Sequence, residues 1–202
     1  MFQPTDSAPV CASCYCSRCD VLVGLEGYHV IGVPASGDGK LVVEIESAAG
    51  PPPGCPGCGV IAASHGRRDH RLVDIPSFGR PTELIWRKRT WRCAEELCSQ
   101  WVFTEQDEHL AAPRALLTTR AVWWAARLMR RENASVAGLA RQLDTAWATV
   151  NDPVIRLLAE LDADQARFDG VEVLGVDEHL CAPCEPCQAW PKRVHRHGRS
   201  YP

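Results

Sequence analysis

The 202-residue chain has no run approaching the roughly 20 apolar residues that span a bilayer, so no helical membrane anchor is expected. Its first ten residues, MFQPTDSAPV, offer neither a cationic start nor an apolar segment. A secretion signal is therefore not expected, and the cytoplasm is the expected compartment. No internal repeat is present, which argues against solenoid architectures. Disorder is not expected either, because 46% of residues are hydrophobic and only 23% charged. A strong net charge is also missing: the formal value is −3.

That small net charge conceals an uneven distribution. Residues 55–131 carry 13 basic and 8 acidic side chains, for +5, whereas residues 132–180 carry 3 and 10, for −7. A global charge argument would miss nucleic-acid binding; the local one directs attention to the middle of the chain.

What the chain has in quantity is cysteine. The eleven fall in four clusters: Cys11, Cys14, Cys16 and Cys19; Cys55 and Cys58; Cys93 and Cys98; and Cys181, Cys184 and Cys187. In a reducing compartment close pairs are read as metal ligands before disulfides. Cys55-Pro-Gly-Cys58-Gly, with Cys93 and Cys98 following, has the form of a two-knuckle zinc site, although the second pair is spaced C-x4-C. Two intervening strands would bring the pairs together around one structural Zn²⁺. The N-terminal four can also chelate a metal, and whether they hold a second zinc is left open.

Strands are expected over 20–33 and 40–48, from short Val- and Ile-rich runs bounded by Gly and Pro, and between the cysteine pairs over 70–79 and 82–93, the last because Leu84, Trp86, Lys88 and Thr90 alternate with Ile85, Arg87, Arg89 and Trp91. In the last of these, Arg87, Lys88, Arg89 and Arg92 are candidate phosphate contacts beside the zinc site. Residues 114–131 have helical periodicity, and Arg120, Arg127, Arg130 and Arg131 extend the basic surface along them. Residues 136–154 fit a helix-turn-helix: Leu139 and Leu143 face inward, Ala140 permits close crossing, the turn falls at Asp144, and Trp147 and Val150 anchor the second helix. Ser135 and Thr145 are the expected N-caps. Thr145, Ala146, Ala148, Thr149 and Asn151 would then approach a major groove. Pro153 is expected to break or kink the recognition helix.

Val171–Val176 is an apolar strand delivering Asp177 and Glu178, the kind of acidic end that a ribonuclease H-like nuclease uses to hold Mg²⁺. The order of parts (cysteine knuckles, the WRKR strand, RALLTTRAVWW, SVAGLARQL, then ARFDGVEVLGVDEH) closely resembles the ISL-three family of insertion-sequence transposases over roughly residues 8–180. The resemblance implies a zinc-binding N-terminal domain, a helix-turn-helix recognising terminal inverted repeats in double-stranded DNA, and a Mg²⁺-dependent DDE catalytic domain. Cys55, Cys58, Cys93 and Cys98 match its zinc knuckles and Asp177 its first catalytic Asp; the second Asp and the Glu have no counterpart, so enzymatic activity is left open. A homodimer is an option, and no membrane partner is implied.

The tail after His179 lacks a hydrophobic period. Residues 192–201, reverse-translated and decoded one base later, can spell an apolar strand ending in a polar turn, so a frameshift and a truncated, inactive catalytic domain are expected. The expected fold class is α+β and multidomain. It comprises an N-terminal β segment (1–50), a zinc ribbon (51–104), an all-α helix-turn-helix domain (112–163), the first strand of a truncated ribonuclease H-like domain (166–180) and an irregular tail (181–202). Two other functions fit parts of the pattern: a zinc-ribbon and helix-turn-helix transcription regulator, or a cysteine-based redox or metallo-enzyme using residues 181–187.

Overall fold

A computed structural model describes residues 15–163 and 169–170. The chain divides into a unit ending at Leu161 and a second from Asp162 onward. Among the described residues the fold is α+β, with four helices and one mixed five-stranded sheet. In chain order the elements are α1 (Ser17–Val23), β1 (Tyr28–Gly32), β2 (Leu41–Ser47), β3 (Ala63–Ser77), β4 (Arg80–Arg92), β5 (Val102–Thr104), α2 (Thr119–Glu132), α3 (Val136–Gln142) and α4 (Trp147–Ala163).

The sheet is organised around β4. One side of β4 pairs with β3 along nearly its whole length, as an antiparallel hairpin. Its two-residue turn, Phe78-Gly79, has positive φ at both positions (53° and 73°), the geometry that matches the twist of tightly joined strands. The other side of β4 pairs first with β2, in parallel, over Thr82 to Trp86, and then with β5, antiparallel, over Thr90 to Arg92. β1 adds to the free edge of β2. Residues 28–47 and 63–92, which the proline-rich linker 48–54 separates in sequence, thus share one sheet.

Alternation along the strands decides which face is covered. Val43 and Ile45 of β2, Leu72 of β3, and Leu84 and Trp86 of β4 lie on one face and form a core with Tyr28, Val30, Leu110 and Ala111. Full burial of Ile45, Leu72 and Leu84 stabilises the sheet by roughly 1.5–3 kcal/mol each. The segment leading into α2 closes the outer edge of β3: Val73 N–H donates to Leu116 O at 2.8 Å, and Thr118 N–H donates to Val73 O at 3.0 Å.

The three later helices have their own core. Leu117, Ala121, Ala125 and Ala126 pack with Leu139, Ala140 and Leu143 of the α3 region and with Val150 and Val154 of α4. The small side chains of α2 and Ala140 permit close approach, and Val73 and Ile75 of β3 pack against the same cluster. Thr118 caps α2 by accepting from Ala121 N–H at 3.1 Å, and Ser135 caps α3 by accepting from Gly138 N–H at 3.1 Å.

Several expectations need correction. Residues 17–23 are helical, not extended; the strand starts only at Tyr28. A short apolar run is ambiguous between helix and strand, and here Gly24 in the left-handed region ends the helix while Asp20 reaches over to accept from Val30 N–H at 2.7 Å. α4 begins at Trp147, so Thr145 stands two residues before it and is not its cap. Trp147 is about half exposed, and Val150 with Val154 anchors the helix instead. The helix also runs unbroken through Pro153 to Ala163. Burial of Val150 and Val154 on either side of Pro153 outweighs the roughly 3 kcal/mol that an interior proline costs. The expected strand 171–176, Asp177 and the tail from 181 lie outside the described residues.

Candidate metal centre and nucleic-acid interface

The β3–β4 hairpin carries a cysteine pair beyond each open end. Cys55 and Cys58 lie on the loop entering β3, and Cys93 follows β4 directly, with Cys98 on the turn before β5. One sulfur from each of Cys55, Cys58, Cys93 and Cys98 falls within 4.8 Å of all the others. Cys55 Sγ is 3.8 Å from Cys98 Sγ, and Cys58 Sγ is 3.5 Å from Cys93 Sγ. A zinc tetrahedron with Zn–S bonds of about 2.3 Å has S···S edges of about 3.8 Å, so the spacing fits the ion.

The loops are shaped around those sulfurs. The backbone N–H groups of Gly57, Glu95 and Gln100 point at Cys55, Cys93 and Cys98 respectively, each at 3.4 Å. Such donors favour thiolate over thiol. A Cβ at Gly57 would stand 3.2 Å from Cys98 Sγ and 3.1 Å from Gln100 Cβ, a tight fit that glycine relieves where the two knuckles close upon each other. Gly59, at φ 79°, completes the first turn in the left-handed region.

Electrostatics point the same way. Burial raises the Cys55 thiol, but the N–H groups of Gly57 and Cys58, with the neighbouring thiols, outweigh it and bring its pKa down to about 7. The Glu95 N–H lowers Cys93, yet burial and its three companion thiols push it up to about 12. Four crowded sulfurs cannot all ionise without a cation among them. With four sulfurs in a closed set, no coordination position is left open, and the role that fits is structural.

The four cations at residues 87–92 of β4 are placed very differently from one another. Lys88 is buried, its ammonium 4.2 Å from the centre of the Trp86 ring and donating to Gln106 Oε1 at 2.9 Å. Arg89 donates to Glu105 at 2.9 Å and to Ala48 O at 3.2 Å. Arg87 lies 4.0 Å from Glu44 and 3.8 Å from Asp69. Arg67 and Arg71 of β3 pair with Glu46 and Glu83 on the same face. This outer face is a lattice of opposite charges rather than a basic patch. The signal was present in the sequence as Glu44 and Glu46, which alternate with the buried Val43 and Ile45. Arg92 is exposed and has no ion pair among the described residues, and its guanidinium lies over Trp101 instead.

On the helical side, Ala146 and Ala148 are exposed, and Thr145, Thr149 and Asn151 are partly so. Asn151 Nδ2 donates to Asp152 at 3.3 Å. Ala148 and Thr149 face a groove of about 490 Å³ shared with Pro113, Arg114, Leu116 and Trp123. Asp144 takes the left-handed φ of 47° that the turn demands, which aspartate tolerates, and Lys40 holds its carboxylate at 2.8 Å. Arg127, Arg130 and Arg131 of α2 and Arg141 of α3 are exposed and make no ion pair among the described residues.

Comparison with curated proteins and with solved structures finds no match. Residues 51–98, which hold all four of these cysteines and the whole β3–β4 hairpin, match the family described as the zinc-finger of transposase IS204/IS1001/IS1096/IS1165, and in this segment the chain is similar to a transposase zinc ribbon.

Proposed function

We propose that the chain is the DNA-binding front part of an insertion-sequence transposase, in which Cys55, Cys58, Cys93 and Cys98 hold one structural Zn²⁺ and α2–α4 form a helix-turn-helix that grips the terminal inverted repeats of a mobile element. The observation that carries this is the convergence of the four sulfurs within the segment that matches a transposase zinc-finger. A three-helix unit with capped α2 and α3 and unpaired arginines at the end of α2 supports the second half. In this reading α4 enters the major groove with Ala146, Ala148 and Asn151 near base edges, while Arg130, Arg131 and Arg141 meet phosphates. Of the four cations at residues 87–92, Arg87 and Arg92 have the most solvent access, while Lys88 and Arg89 act inside the fold. Of the five segments expected from the sequence, 1–50 and 51–104 contribute strands to one sheet and are taken together, the other three remain our assignment, and Asp177 is assigned as the first Mg²⁺-binding carboxylate of the catalytic domain. By itself it supplies one of the carboxylates that two-metal chemistry requires.

The test is fluorescence-anisotropy titration of the zinc-loaded chain against the inverted-repeat duplex, a scrambled duplex and a palindromic duplex. Preferential, salt-dependent binding to the inverted repeat is expected. Equal affinity for all three, or preference for the palindrome as a transcription regulator shows, overturns the proposal.

A further inference from the structure

Beside the second cysteine pair is an open cleft of about 600 Å³ that the helix-turn-helix does not use. Its wall carries Trp101, Arg92, Glu95 and Glu96, with Ala63 and Ala94 between them. Trp101 is 64% exposed, an unusual position for the largest apolar side chain. Its backbone is fixed nonetheless: Trp101 O accepts from Cys93 N–H at 2.9 Å, and Val102 pairs with Arg92 across the β4–β5 ladder. The metal knuckle and the sheet therefore hold the indole out into solvent. The Arg92 guanidinium carbon lies 5.7 Å from the centre of the indole, a cation–π arrangement that orients both side chains. Glu95 and Glu96 stand in the same cleft, yet neither pairs with Arg92 among the described residues.

This mixture suits few ligands. A simple anion would be drawn by Arg92 and repelled by two carboxylates. A cationic side chain would be drawn by the carboxylates and repelled by Arg92. A nucleotide presents all three complements at once: a phosphate, a flat π face, and amino hydrogens on the base edge. We infer that the cleft beside the second cysteine pair binds an unpaired nucleobase of single-stranded DNA, stacked on Trp101, with Arg92 at its phosphate and Glu95 or Glu96 accepting from its exocyclic amino group. Bases inside a duplex are already covered on both faces, so the site selects unpaired ones. Carboxylates accept well from the cytosine amino group, whereas thymine offers a carbonyl oxygen at the same place and is disfavoured. The inference does not depend on duplex binding by α2–α4.

The experiment uses the full zinc-loaded chain and fluorescein-labelled oligo(dC) and oligo(dT) of about 12 nucleotides, alongside a duplex. Wild type is expected to bind oligo(dC) more tightly than oligo(dT). Trp101→Ala is expected to lose about five- to a hundred-fold in affinity for oligo(dC) while duplex affinity and zinc content hold, and Trp101→Phe to recover part of the loss. The double variant Glu95→Ala with Glu96→Ala separates base recognition from charge. If only phosphate attraction operates, removing two negative charges tightens binding to both oligonucleotides equally; base recognition predicts that the preference for dC disappears. No binding of single strands by wild type, an unchanged affinity in Trp101→Ala, or a dC preference that survives the double variant each overturns the inference. Loss of duplex preference alone overturns the proposed function and leaves this site standing.

Discussion

Arg120, in the first turn of α2, donates from Nε to Oδ1 of Asp74 on β3 at 2.8 Å, and a second bond joins its Nη2 to Oδ2. Asp74 is fully buried, and Thr118 Oγ1 donates to the same carboxylate at 2.7 Å. Arg120 Nη1 also reaches Val23 O at the end of α1. One guanidinium thus ties the sheet, the first helix and the helix-turn-helix unit together.

Removing Arg120 leaves a buried carboxylate without its main partner. Arg120→Ala is expected to destabilise the protein by about 3 kcal/mol, the low end for a broken buried pair because the arginine itself is partly exposed. Urea denaturation measures it. Arg71→Ala, which breaks a surface pair with Glu83, should leave the midpoint nearly unchanged. Equal effects of the two substitutions would contradict the role given to Arg120.

Cys55→Ser removes one of the four sulfurs and is expected to lower the bound zinc by one equivalent per chain, measured by metal analysis after dialysis. Cys16→Ser should leave that equivalent in place. Because zinc binds thiolates, acidification returns protons to the sulfurs and releases the metal. The site's contribution to stability is therefore present at neutral pH and lost as the pH falls, and a chelator should mimic acid. A zinc count unaffected by Cys55→Ser would mean that these sulfurs do not form the metal centre.

Lys88 and Arg130 allow a direct contrast between a cation inside the fold and one on its surface. Lys88→Met removes the ammonium that lies over Trp86 but keeps an unbranched apolar side chain there, and should leave the salt dependence of duplex binding unaltered. Arg130→Ala together with Arg131→Ala should reduce the slope of log affinity against log salt by about 1 for each phosphate no longer neutralised. A slope that drops with Lys88→Met and holds in the double arginine variant would place the DNA on the wrong surface.

Asp144 sits in the left-handed region at the helix-turn-helix turn. Asp144→Gly relieves the backbone but loses the pair with Lys40, so the two effects offset and stability should change little. Asp144→Val loses the pair and adds the strain of a β-branched residue at positive φ, on the order of 1–3 kcal/mol. Thermal melts of both variants check the sign: a valine variant as stable as the glycine one would show that the turn is not under this constraint.

Local chemistry alone determined much of this protein. The CPGCG knuckle, the Ser135 cap, the inward positions of Leu139 and Leu143 and the alternation along β4 all depend on neighbours within a few residues, so they could be read from the chain. Other features needed the folded molecule. Nothing in the run Arg87-Lys88-Arg89 says that Lys88 turns onto Trp86 or that Arg89 meets Glu105, because those partners arrive by strand pairing and by the path of the chain after β5. The passage of α4 through Pro153 was likewise decided by burial, which outweighs local propensity, and the bond from Val30 N–H to Asp20 of the helical turn Ser17–Val23 forms only across the folded chain. Charge and spacing specify what a side chain is able to do; which of its groups still faces solvent, and therefore a ligand, is set only when the sheet closes around it.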